Sequence, residues 1–159
     1  MRNGPALTEE EWRLWHVWME AQRILAGEVD RSLQAEAGIS KAEFSVLVTL
    51  RAASDSELRV GDLAAALRWE KSRVAHLLTR MERRGLIDRA EAGAARRRTA
   101  IGLSPKGREA VESALRVHAR SVRRAFFDRV TAEQAAAIQD WSEQMMESTA
   151  PADRSASAE

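Results

Sequence analysis

Between residues 71 and 84 the chain sets Lys71, Ser72, Arg73, His76, Thr79, Arg80 and Arg83 along one short stretch, and Arg96, Arg97 and Arg98 follow in a Gly/Ala-rich segment. All are cations or hydrogen-bond donors. The planar fork of arginine suits bidentate contact with phosphate or guanine. This is chemistry for gripping a polyanion, not for making or breaking bonds. Of the 25 basic residues, only Lys41, Lys71 and Lys106 are lysine, although a GC-rich genome would give the same bias. Cysteine is absent, which excludes disulfides, thiolate zinc sites and thiol-based peroxide sensing. The three histidines, His16, His76 and His118, are too far apart for a local metal motif, and no Gly-rich phosphate loop occurs. No enzyme, cofactor or metal site is expected.

The formal net charge of +1 conceals a block structure. Residues 59–108 hold 13 basic and 5 acidic side chains, net +8, against −4 for residues 1–58 and −3 for residues 109–159. Such asymmetry suggests a polyanionic partner. A length of 159 residues suits one domain. No apolar run approaches the ~20 residues of a membrane span, and the N-terminus lacks a signal-peptide pattern. No membrane partner is expected, and a cytoplasmic location is.

Helix-start signals place the elements that must carry these cations. Thr8-Glu9-Glu10-Glu11, Ser40-Lys41-Ala42-Glu43 and Thr131-Ala132-Glu133-Gln134 fit the capping box. Ser104-Pro105 puts an N-cap before a first-turn proline. The spacing predicts helices at about 8–36, 40–53, 60–67, 70–84, 105–129 and 131–147, then a frayed polar tail over 148–159. Residues 86–91 and 99–103 read as two strands around a turn-rich tip, with Leu58-Arg59-Val60 available as a third. The fold class is mainly α with a small β-wing (α+β).

The helices at 60–67 and 70–84, joined by a tight turn, have a helix-turn-helix layout. Val74, Leu77, Leu78 and Met81 share a sector of roughly 100° and predict the buried face of the second helix. Lys71, Ser72, Arg73, His76, Thr79 and Arg80 are the expected DNA-facing set, with Ser72, Arg73 and His76 nearest the end that approaches bases in such motifs. Arg96, Arg97 and Arg98 at the hairpin tip are expected in a minor groove.

Leu63-Ala64 and Trp69 to His76, then Arg80-Met81-Glu82-Arg83-Arg84-Gly85-Leu86-Ile87, then Leu103-Ser104-Pro105-Lys106-Gly107, resemble a MarR-type winged-helix transcriptional regulator over about residues 8–147. The resemblance implies a symmetric homodimer whose N- and C-terminal helices form the interface. It implies a pseudo-palindromic double-stranded DNA operator, and release by a small, often aromatic or phenolic, effector. The family's wing commonly reads Asp-x-Arg. In this chain Arg97 matches the arginine and Ala95 stands where the acid would be.

The expected organisation is a single MarR-like domain over 1–159. Residues 8–36 and 105–147 are its dimerisation helices, 40–104 the winged helix-turn-helix lobe and 148–159 a flexible tail. The first helix has two apolar stripes, Leu14/Val17/Ala21/Leu25 and Trp12/Trp15/Met19, with Trp18 between them. A helix apolar most of the way round calls for partners on both sides, and C2 pairing supplies the second. Val111, Leu115, Val122 and Phe126 form a stripe on the fifth helix, and Ile138, Trp141 and Met145 one on the sixth. Trp15, His16, Met19 and Leu47 are the candidate effector-binding residues. His118 joins them as a polar anchor or pH switch, because it falls in line with the fifth helix's apolar stripe; the plainer alternative is a satisfied core histidine.

The expected function is a homodimeric sequence-specific transcriptional regulator, a repressor, nucleoid-associated in a bacterial cytoplasm when bound. A winged-helix module for protein–protein contact without sequence-specific DNA binding is the alternative.

Overall fold

A computed structural model describes residues 6–53, 58–91 and 99–149. Helix α1 (Glu9–Ser32) opens on the Thr8 capping box, and α2 (Lys41–Ala52) on that of Ser40 and Glu43. Both boxes satisfy two orphan amides reciprocally. Helices α3 (Val60–Leu67) and α4 (Lys71–Arg83) follow. Strands β1 (Ile87–Glu91) and β2 (Thr99–Leu103) form an antiparallel pair in the register Ile87 to Leu103. Helix α5 (Pro105–Val122) is capped by Ser104, and α6 (Ala132–Thr149) by Thr131, whose hydroxyl accepts from the Gln134 amide. The expected third strand is reduced to one bridge, in which the Ile101 amide donates to the Leu58 carbonyl at 2.8 Å. Val60 already begins α3.

Two boundaries differ from expectation. The helices predicted to 36 and 129 finish in π-helical turns, Leu33–Ala37 and Arg123–Phe127. After the first, Gly38 takes φ +63° and the Ile39 amide reaches back to the Leu33 carbonyl. A left-handed cap that turns six residues back on one relaxes the last turn beyond α-helical pitch. Helix α6 runs two residues past its expected end, and the rest of the polar tail lies outside the described residues.

The core sits where α2, α3, α4 and α5 meet under the β-ribbon. Leu33, Ile39, Val46, Leu47, Leu63, Val74, Leu78, Met81, Leu86, Ile87 and Val111 are its fully enclosed side chains. On α5 the buried line is Val111, Ala114, Val117 and Ser121, while Leu115, His118, Val122 and Phe126 are half-buried beside it. Small residues let α5 approach the core closely, and the larger ones are displaced to its flank.

The junction after α4 is clamped from α5. Gly85 adopts φ +70°, and the Leu86 amide donates to the Met81 carbonyl at 2.9 Å, closing the helix. Ser104 Oγ donates to the Gly85 carbonyl at 2.6 Å and accepts from the Gly107 amide at 2.9 Å. Lys106 Nζ donates to the Arg84 carbonyl at 2.8 Å. The Leu86 carbonyl lies so close to Gly107 that a β-carbon there would sit 1.8 Å from its oxygen. The Leu-Ser-Pro-x-Gly run is therefore the buttress that fixes how α4 leaves the core.

Candidate nucleic-acid interface

Helix α4 buries Val74, Leu77, Leu78 and Met81, the four residues its periodicity picked out. Packing on that side obliges the other to face solvent: Lys71, Ser72, Arg73, His76, Arg80 and Arg83 are all exposed. No acidic residue occurs from Lys71 to Met81. Thr79 is half-buried instead; its hydroxyl donates to the Ala75 carbonyl at 3.1 Å and accepts from Arg89 Nη2 at 3.3 Å. Arg89, which the sequence reading passed over, also pairs with Glu82 at 3.2 Å and so ties the ribbon to the helix. Alternation along β1 was its signal, obscured by the alanines of the tip. Arg96, Arg97 and Arg98, with Ala95, lie outside the described residues.

The turn before α4 is rigidly built. Arg68 closes α3 at φ +54°, and the Trp69 amide donates to the Ala64 carbonyl at 2.9 Å. The indole of Trp69 packs against the core, and the Arg73 guanidinium stacks over it 4.3 Å from the ring centroid. An i, i+4 Trp–Arg pair was visible in the sequence, but nothing there showed that the turn would hold the indole in line with the helix.

Behind this surface, Glu43 is almost wholly buried, accepting from the Ser40 amide at 2.9 Å and the Ser40 hydroxyl at 2.8 Å. Arg84, at the end of α4, pairs with the same carboxylate and donates to the Gly38 carbonyl at 2.8 Å. Burial alone would push the Glu43 carboxyl up, but the Ser40 hydrogen bonds and the Arg84 charge together hold it below the usual carboxylate range. The start of α2 and the end of α4 are thereby joined by one buried acid.

The five candidate effector residues do not gather in one place. Leu47 is fully enclosed in the core. His16 stacks on Trp12 with ring centroids 5.4 Å apart, and Trp15 and Met19 are about half exposed on the outer half of α1. Trp15 lines a separate apolar groove with Leu14, Trp18, Ile138 and Trp141. Of the five, His118 alone borders the larger cavity, about 590 Å³, whose walls include Leu25, Val29, Phe44, Val122 and Phe126. Its ring lies 4.9 Å from that of Phe44, and its buried Nδ1 has no hydrogen-bond partner among the described residues. Lys41 and Asp30 also border the cavity. Sequence periodicity chose the exposed half of α1, whereas the cavity lies along its buried half, where Leu25 and Val29 meet α2 and α5.

The outer surfaces of α1 and α6 are strongly apolar. Leu14 is 71% exposed and Val17 63%, and Trp18 meets Trp141 edge to face across the two helices. No helix among the described residues is long and apolar enough to cross a membrane.

A core-anchored helix-turn-helix followed by a two-stranded ribbon is a winged helix, a fold built to present one helix to a DNA groove. Residues 37–98 match the sequence model of the MarR family. The structure is similar to that of AbsC, a MarR family transcriptional regulator from Streptomyces coelicolor, at 29% identity and a TM-score of 0.78, covering 91% of this chain and 97% of that one. It is equally similar to Sco3205, a MarR family transcriptional regulator from the same organism solved in complex with DNA, at 29% identity and a TM-score of 0.78, covering 95% of this chain and 94% of that one. An organohalide-sensing RdhR regulator in its 2,4-dichlorophenol-bound form shares the fold at 22% identity and a TM-score of 0.73, covering 92% of this chain and 87% of that one. No curated protein matches the sequence significantly. Residues 37–98 thus carry the MarR family's sequence pattern, and the whole chain shares the winged-helix fold of transcriptional regulators of that family, one of them solved on DNA.

Proposed function

We propose that the chain is a homodimeric repressor that occupies a pseudo-palindromic operator in the cytoplasm and leaves it when a small aromatic effector binds. One observation carries the DNA half of this reading: α4 is fixed to the core by its apolar face and turns an acid-free, cationic face outward. In a dimer, two such helices enter successive major grooves about 34–36 Å apart. Lys71, Ser72, Arg73, His76 and Arg80 contact bases and phosphates there, with Thr79 bracing the helix, while Arg96, Arg97 and Arg98 hold the flanking minor groove.

The division of labour follows the same lines. Residues 40–104 form the DNA-binding lobe, and the apolar outer faces of 8–36 and 105–147 pair with a second copy. Burying large apolar side chains contributes roughly 1.5–3 kcal/mol each, and the exposed Leu14, Trp15 and Val17 alone represent a substantial driving force. The cavity beside His118 is the effector site. It lies where α1, α2 and α5 meet, so a ligand there bears on both the pairing helices and the DNA-binding lobe. The dichlorophenol-bound RdhR regulator supports an aromatic ligand for this fold.

The experiment is fluorescence anisotropy with a 30-base-pair duplex from the DNA flanking the protein's own gene, against a scrambled duplex of equal composition. Preference for the native duplex, lost in R73A, weaker binding to both duplexes in R80A, and affinity falling steeply with salt in proportion to the phosphates neutralised, are expected. Equal, weak binding to both duplexes would instead favour a protein-contact module.

A further inference from the structure

We propose that Trp69 is a specificity-positioning residue: its indole holds the Arg73 guanidinium by the flat face, so that the N–H edge is presented to a base pair. The proposal rests on the reading of α4 as the groove-entering helix. Trp69 is immobilised twice, by its amide hydrogen bond to the Ala64 carbonyl and by the packing of its ring against the core. Arg73 sits one helical turn further on, 4.3 Å above that ring.

The manner of holding matters. An arginine fixed by a carboxylate spends its fork donors on the acid. Among the described residues no acid pairs with Arg73, and the π face of the indole restrains the cation without consuming any N–H. All the donors therefore remain for O6 and N7 of a guanine, the commonest partner of a bidentate arginine. A long side chain that is already ordered loses less freedom on binding. The nearby exposed cations Lys71 and Arg80 have no such platform among the described residues. They suit phosphate, where a mobile charge is sufficient.

The test is selection from a duplex pool randomised over 20 base pairs, with wild type, W69F, W69L, R73A and the double variant W69L/R73A. Anisotropy is then measured on the duplex that wild type selects and on a scrambled one. W69L is expected to bind the selected duplex three- to tenfold more weakly while its affinity for the scrambled duplex stays within twofold. Its selected motif should lose information at the same half-site position that R73A erases. W69F, which keeps an aromatic face, should retain most of the preference. In the R73A background W69L should add nothing, because a residue acting through Arg73 has no effect once Arg73 is gone. Equal weakening on both duplexes, or additive losses in the double variant, would overturn the proposal and leave Trp69 as core packing. If wild type selects no motif at all, the reading of α4 as the groove-entering helix falls instead. Should W69L melt early, W69F and R73A still decide the matter, since an R73A that keeps the wild-type preference, or a W69F that loses it as completely as R73A does, would refute it.

Discussion

Replacing Glu43 by glutamine removes one charge and almost no volume from the point where α2 meets the end of α4. The native carboxylate is 2% exposed and serves three donors, the Ser40 amide, the Ser40 hydroxyl and Arg84. Breaking a buried pair from one side costs about 3–5 kcal/mol where the abandoned charge stays buried. The Arg84 side chain is 45% exposed, so water re-solvates it and the cost falls to roughly 1–2 kcal/mol. Glutamine keeps the capping box, and alanine does not. E43A therefore loses about 1 kcal/mol more for the cap. For a chain of this size each kcal/mol moves the melting temperature by about 2–4 °C. Urea denaturation followed by tryptophan fluorescence, at one fixed chain concentration, measures both variants. The sign with pH follows from the lowered carboxyl. Its stabilisation is complete above the ordinary carboxylate value near 4.3 and disappears as pH falls through the lower native value. Wild type and E43Q should therefore differ most above about pH 5 and converge in acid. E43Q within 0.5 kcal/mol of wild type at pH 7, or a gap that widens on acidification, would refute the reasoning.

Three further outcomes are expected. G107A should lose about 3 kcal/mol or more, because its β-carbon would meet the Leu86 carbonyl at 1.8 Å and neither backbone can yield cheaply; chemical denaturation checks it. L14R, at a position 71% exposed, should turn the proposed dimer into a monomer in sedimentation velocity while leaving the far-ultraviolet dichroism unchanged. H118L should leave stability unchanged or raise it by up to about 1 kcal/mol, since it removes a buried nitrogen that has no partner among the described residues; a loss above 1 kcal/mol in urea denaturation would show that the imidazole is paired after all.

What the sequence reveals divides along the range of the interactions involved. Thr8, Ser40 and Ser104 announce their helices because capping joins residues three apart, and the same locality makes the buried face of α4 readable from Val74, Leu77, Leu78 and Met81. Periodicity fails where close approach decides instead. On α5 it favours Val111, Leu115, Val122 and Phe126 with His118 in line, whereas of these only Val111 is buried, beside Ala114, Val117 and Ser121. That displacement is also what builds the cavity. Large side chains pushed to the flank of α5 meet Phe44 and the buried half of α1 without filling the space between them. The residues around His118 come from three helices up to about a hundred positions apart, so no local pattern brings them together. Glu43 shows both ranges in one side chain. Its box with Ser40 is written in four consecutive residues, while its bond to Arg84 spans 41 positions. The local half starts α2 beside the cavity, and the distant half fixes the end of α4, the helix proposed to face DNA. On the proposed reading, in which the cavity is the effector site and α4 meets DNA, that carboxylate is a short mechanical path between the two.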